Sequence, residues 1–118
     1  MLEPIVEIKI NGKKHEMKPT FKALSTIERE IGIGLLGYLT TKCVKNDIPI
    51  IDCVSIISNG IKGAGGDIDV EKLGDFVYKN LIYSITKCAE FIKISFYPED
   101  EDEKEDGDRE DSDDVKKK

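Results

Sequence analysis

The sequence predicts a mainly α domain with a small N-terminal β-hairpin (α+β): a compact body of four to five helices, followed by a disordered acidic C-terminal tail. Three observations carry this expectation. Asn11-Gly12 separates two short runs of extended character, "VEIKI" and "KKHEM". Apolar residues then recur at spacings of three and four up to residue 97, punctuated by glycine, asparagine and aspartate. Residues 98–118 hold twelve Asp or Glu against five Lys or Arg, with only Val115 to bury. Such a segment cannot offset its ordering entropy. The boundary therefore falls between residues 1–97, the folded domain, and 98–118, the tail.

The charge divides at the same place. The chain has a formal net charge of −6, and the tail alone contributes −7, which leaves residues 1–97 at +1. A neutral body offers no broad basic footprint and argues against nucleic acid as a partner. Cys43, Cys53 and Cys88 are odd in number and widely spaced. They read as buried thiols in a reducing compartment rather than as a disulfide frame or zinc site. The start "MLEPIVEIKI" does not have the pattern of a signal peptide, and no apolar run reaches membrane-spanning length. The expectation is a cytoplasmic protein with no membrane association.

Element by element, the hairpin comes first. Asn-Gly supplies the two positive φ angles of a type I′ turn. Its register pairs Ile10 with Lys13, Ile8 with His15 and Val6 with Met17. Val6, Ile8 and Met17 then share one face, and Glu7, Lys9, Lys14 and Glu16 share the other with opposite charges on the diagonals. Thr20 is placed to cap a helix over "FKALSTIEREI", with Phe21, Leu24, Ile27, Glu28 and Ile31 as its stripe and Gly32 as its stop. A second, short helix over "GLLGYLTTKCVKN" directs Leu35, Leu36, Leu39 and Cys43 inward, although Gly34 and Gly37 weaken it.

"IPIIDCVSIIS" is rich in β-branched residues and has the composition of a buried parallel strand. Its polar residues Asp52, Ser55 and Asn59 fall three and four apart, with Ile50, Cys53, Val54 and Ile57 opposite. That period favours a helix, with Asp47 as cap and Pro49 in the first turn. Gly60 stands where such a helix would stop, and Asp69 can cap the next one, "VEKLGDFVYKN". The intervening "NGIKGAGGD" is not a phosphate loop. Gly60 and Gly65 have the spacing, but Gly66-Asp67 stands in place of Lys-Ser/Thr, and Ile68 stands where a dinucleotide motif needs its third glycine. The last helix covers "LIYSITKCAEFIKISFY", with Leu81, Ile82, Ile85, Cys88, Ala89, Ile92 and Phe96 in one stripe. Tyr83, Phe91, Ile94 and Tyr97 lie outside that stripe and are the candidate partner-binding residues.

The residues hold no catalytic, cofactor or metal constellation to expect. His15 is the lone histidine and sits beside Ile8 in the hairpin register, and Asp67 and Asp69 lack calcium-loop spacing. The expectation is a protein that is not an enzyme.

Residues 5–97 resemble a known arrangement. "VEIKINGKKHEMKPTFKALSTIEREIGIGLLGYL" matches a hairpin, a Pro-Thr-Phe-x-Ala-Leu helix start and a Gly-rich break, and "IISNGIKGAGGDIDVEKLGDFVYKN" matches a Gly-Leu-Arg-Gly-Ala-Gly joint before a helix. Ile61 and Lys62 replace the usual Leu-Arg, and Asn80 stands where glycine often ends the next helix. The chain resembles the tail assembly chaperone family of gene transfer agents and related long-tailed phages, also labelled phage tail tube protein. The resemblance implies a non-enzymatic chaperone, phage- or prophage-encoded, that binds the tape-measure protein and assists polymerisation of the tail-tube protein. It implies a place in the host cytoplasm and absence from the mature particle, and leaves room for a homo-oligomer. Two other functions stay open: a structural tail-tube component, and a small nucleic-acid-binding module using residues 47–80 as a helix-turn-helix.

Overall fold

In the computed structural model, which describes residues 4–96, Asn11 and Gly12 take φ of 52° and 80°. Both values are left-handed, as a type I′ turn requires. The turn joins β1 (Val6–Ile10) to β2 (Lys13–Met17) in the predicted register, Val6 with Met17, Ile8 with His15 and Ile10 with Lys13. Val6, Ile8, Ile10 and Met17 are buried on one face. On the other, Glu7 lies opposite Glu16 and Lys9 opposite Lys14. The opposite charges on the diagonals do not close into ion pairs. A two-stranded sheet is marginal alone, and this one lies on helices.

Helix α1 (Phe21–Ile31) begins at Thr20, whose hydroxyl accepts from the Ala23 N–H at 3.1 Å, and ends at Gly32 with φ 85°. Its buried residues are Ala23 and Ile27, while Phe21 is 87% exposed, against expectation. The reason is a close contact between small residues. A Cβ built on Gly63 would lie 3.3 Å from the Ala23 methyl, so this approach fixes the rotation of α1 and turns Phe21 outward.

Helix α2 (Leu35–Tyr38) runs straight into a π-helical turn, Leu39–Cys43, closed by the Val44 N–H to the Leu39 carbonyl at 3.2 Å. Leu35, Leu39 and Cys43 face inward as expected, but Leu36 is exposed and Tyr38 is buried instead. The Tyr38 hydroxyl donates to Asp52 Oδ2 at 2.8 Å, which satisfies its one polar group.

Helix α3 (Ile50–Gly63) is the centre of the domain, in contact with β2, α1, α4 and α5. Its helical period is as the sequence predicts, and its boundaries differ. Asp47 does not cap it: the Asp47 N–H donates back to the Lys42 carbonyl at 2.9 Å, so Asp47 closes the preceding turn and Pro49 holds the N-cap position. Ile50 is partly exposed at the first turn. Gly60 does not end the helix either. The stop lies at Gly65 (φ 89°), where the Gly65 N–H donates to the Lys62 carbonyl and the Gly66 N–H to the Ile61 carbonyl, both at 2.9 Å. That pair of bonds is a Schellman motif.

Asp69 caps α4 (Val70–Lys79) as predicted, its Oδ1 accepting from the Glu71 and Lys72 N–H groups at 2.9 and 3.2 Å. Asn80 alone separates α4 from α5 (Leu81–Phe96). Its φ is −134°, not the left-handed value expected from a glycine-like position. Its side-chain amide donates to the Phe76 carbonyl at 3.0 Å, and its own carbonyl accepts from the Ser84 N–H and hydroxyl. One asparagine thus ends one helix and starts the next. The domain is mainly α, with five helices and a two-stranded antiparallel hairpin among the described residues. The predicted acidic tail, 98–118, lies outside the described residues.

Candidate partner-binding surface

Ser84, with its hydroxyl bonded to the Asn80 carbonyl at 2.8 Å, is fully buried, and so are Cys88, Phe91 and Ile92. The inward face of α5 is therefore rotated toward Ser84 and Phe91 relative to the stripe read from the sequence. The correction moves residues both ways. Ile82 is 83% exposed and Phe96 is partly exposed, although both were assigned inward. Phe91, named as a partner-binding candidate, is 0% exposed and belongs to the core.

The other candidates fall in three places. Tyr83 is 38% exposed and is a structural tie. Its hydroxyl accepts from the Lys9 N–H at 2.9 Å, its ring meets Phe76 edge-on at 6.2 Å, and Lys87 Nζ lies 5.9 Å from its centroid. Ile94 is partly buried against the core. Tyr97 lies outside the described residues.

The surface that α5 presents instead runs along Ile82, Thr86, Glu90 and Lys93, at helical spacing on one side. Beside it is a groove of about 530 Å³, with Leu39, Thr40, Cys43 and Val44 on one wall and Ala89, Glu90 and Lys93 on the other. The π-helical turn shapes the first wall, since its extra residue per turn widens the helix locally. Val44, just past the inward series Leu35, Leu39 and Cys43, is largely exposed at the groove edge. Sequence reasoning missed it, although its position one step off that series was visible. A surface of this kind suits an apolar helix face, with Glu90 and Lys93 at the rim for polar contacts.

A second, more polar groove of about 400 Å³ lies between α1 and α3. There Glu30 Oε1 accepts from the Ser55 hydroxyl at 2.6 Å and from the Asn59 amide at 3.1 Å. These bonds fasten α1 to α3 and leave Asn59 satisfied while buried.

The three thiols are free and buried. The Cys88 thiol donates to the Cys53 carbonyl at 3.8 Å, and burial pushes its pKa up. Burial likewise pushes Cys43 up to about 11, with Cys53 adding to it. Such thiols are poor nucleophiles. Among the described residues, no group of three or more His, Cys, Asp or Glu could hold a metal ion, and no helix is long and apolar enough to cross a membrane. His15 is half-buried beside Ile8, as the register required. Most of α3 from Cys53 to Ile61 is buried, so it is a core helix and not a free recognition element.

The sequence relationship gives the class: a protein of the phage tail, with a structural or assembly role. A family described as phage tail tube protein, GTA-gp10, matches residues 4–93, and the chain belongs to that family. No curated protein and no solved structure matches it significantly.

Proposed function

We propose that this protein is a non-enzymatic phage tail assembly chaperone. It binds a helical, apolar segment of the tape-measure protein and assists the tail-tube protein in assembling around it. It acts in the host cytoplasm and is absent from the mature particle. The supporting observation is the outward side of α5, where Ile82 is 83% exposed on a helix whose other side already fills the core. A large apolar side chain left in water, Ile82, together with Val44 at the edge of the neighbouring groove, favours an apolar partner. The groove beside them supplies a seat for an anchoring side chain.

Pull-down of tape-measure fragments by the full chain tests this reading. Val44→Ser combined with Ile82→Ser is expected to weaken capture at least about tenfold while circular dichroism stays unchanged. Undiminished capture by the folded double variant rejects this surface.

The family's description supports a second reading, a structural subunit of the tail tube. A ring of subunits needs a heterologous, closing interface, and the described residues offer one two-stranded sheet for it. Rings or tubes formed by the pure protein, seen by electron microscopy, would favour this second reading over the first.

A further inference from the structure

The two edges of the hairpin differ. With a two-residue turn, Ile10 and Lys13 form a hydrogen-bonded pair, and so do Ile8 with His15 and Val6 with Met17. The main-chain groups of Glu7 and Lys9 therefore point away from β2, and those of Lys14 and Glu16 point away from β1. The rest of the fold agrees with this phase. The Lys9 N–H reaches the Tyr83 hydroxyl, and the Lys18 N–H, next in series on the β2 side, reaches the Gly60 carbonyl. Tyr83 thus blocks the β1 edge. On the β2 edge, the N–H and C=O groups of Lys14 and Glu16 meet no hydrogen-bond partner among the described residues. Both side chains are exposed, and neither enters an ion pair.

The charges on this edge are self-complementary in one arrangement. An antiparallel copy of β2, related by a two-fold axis at His15, places Lys14 opposite Glu16 of the second copy and Glu16 opposite its Lys14. Both pairs have their main-chain groups facing each other, so each exchanges two hydrogen bonds, about four in all. Shifting this register by two residues in either direction removes both charge pairs. Exposed charges normally protect an edge strand from arbitrary pairing. Here the Lys14-x-Glu16 pattern is complementary to its own antiparallel copy.

We propose that the free edge of β2 is a homodimer interface, joining two hairpins into a four-stranded antiparallel sheet through reciprocal Lys14–Glu16 pairs. The interface is isologous and closes at two copies, so it builds no ring or filament. It lies away from the α5 surface, and it stands whether or not the chaperone reading holds.

Charge exchange tests it on the full chain, read by sedimentation over a concentration series. Lys14→Glu sets two glutamates opposite each other across the interface, and Glu16→Lys sets two lysines so. Each is expected to weaken dimerisation roughly tenfold or more. The double variant Lys14→Glu/Glu16→Lys restores opposite pairs and is expected to dimerise like wild type. The two single variants shift net charge in opposite directions, and the double variant leaves it unchanged, so a general charge effect predicts a different pattern. Folding is not a confounder. Each single change replaces a like-charge pair within the hairpin, Lys9–Lys14 or Glu7–Glu16, with an opposite one. A wild type that stays monomeric at every concentration overturns the proposal. So do single variants that dimerise normally, or a double variant that does not recover.

Discussion

The Lys18 N–H donates to the Gly60 carbonyl at 2.9 Å, fastening the end of the hairpin to the middle of the central helix. That carbonyl also accepts from the Ala64 N–H at 3.2 Å, so the contact adds to the helix ladder without breaking it. The approach depends on a missing side chain: a Cβ on Gly60 would fall 2.9 Å from Met17 Cβ and 3.2 Å from Phe91 Cε1.

Gly60→Ala is therefore expected to destabilise the domain by about 1–2 kcal/mol, the overpacking cost exceeding the helix-propensity gain. Gly74, inside α4, has nothing within 4 Å of its Cβ position. Gly74→Ala should stabilise by about 0.5–1 kcal/mol. Urea midpoints of the two variants should move in opposite directions from wild type.

Tyr83 links three elements, and its hydroxyl is separable from its ring. Tyr83→Phe keeps the edge-on contact with Phe76 and removes the acceptor of the Lys9 N–H. The expected loss is about 0.5–1 kcal/mol, since water can replace an exposed partner. Hydrogen exchange at the Lys9 amide should rise selectively, and equal protection in both proteins would show that the bond does not form.

Two buried thiols, Cys43 and Cys88, and Tyr38 give stability an alkaline limit. Cys43 is raised to about 11 from an ordinary 9.0, chiefly by burial. Tyr38 is raised as well, by burial first and then by its bond to Asp52. A raised acid stays protonated in the folded state while the unfolded chain ionises. The contribution from Cys43 is then complete below about 9 and is lost as pH rises toward about 11. Urea midpoints should hold level up to pH near 9 and fall above it. Cys43→Ala should flatten the first part of that fall.

The hairpin, two helix caps and the period of α3 were legible in the sequence because their causes are local. Asn11-Gly12 needs only its own backbone, and Thr20 and Asp69 need only the next turn. The inward faces were less legible because the neighbouring elements set them. Ser84 looks polar in sequence, yet its bond to the Asn80 carbonyl lets it sit fully buried and so turns Ile82 outward. A glycine that admits a neighbour and a glycine that ends a helix also look alike in sequence, and only the packing separates Gly60 from the stop at Gly65. On α5 the buried stripe is rotated from the one its period suggests, so Phe91 is core while Tyr83 stays 38% exposed.

Residues 98–118 contain Val115 as their only large apolar side chain. Deleting them should leave the thermal midpoint within about 1 °C, because the described residues form a core of their own and the deleted segment has only Val115 to add to it. A fall of several degrees would show that the acidic segment contributes to folding.

Phe91 and Ile82 separate core from partner surface on one helix. Phe91 is fully buried beside Gly60, so Phe91→Ala is expected to cost about 3–5 kcal/mol through lost transfer energy and a cavity. Many domains of this size have little more than that to lose, so weak partner binding by this variant would report unfolding rather than a lost contact. Ile82 stands almost wholly in water, and Ile82→Ala should leave stability within about 0.5 kcal/mol. Its effect on tape-measure capture can therefore be read directly. If Ile82→Ala instead lowers the urea midpoint as Phe91→Ala does, the rotation of α5 described above is incorrect and its outer side is core.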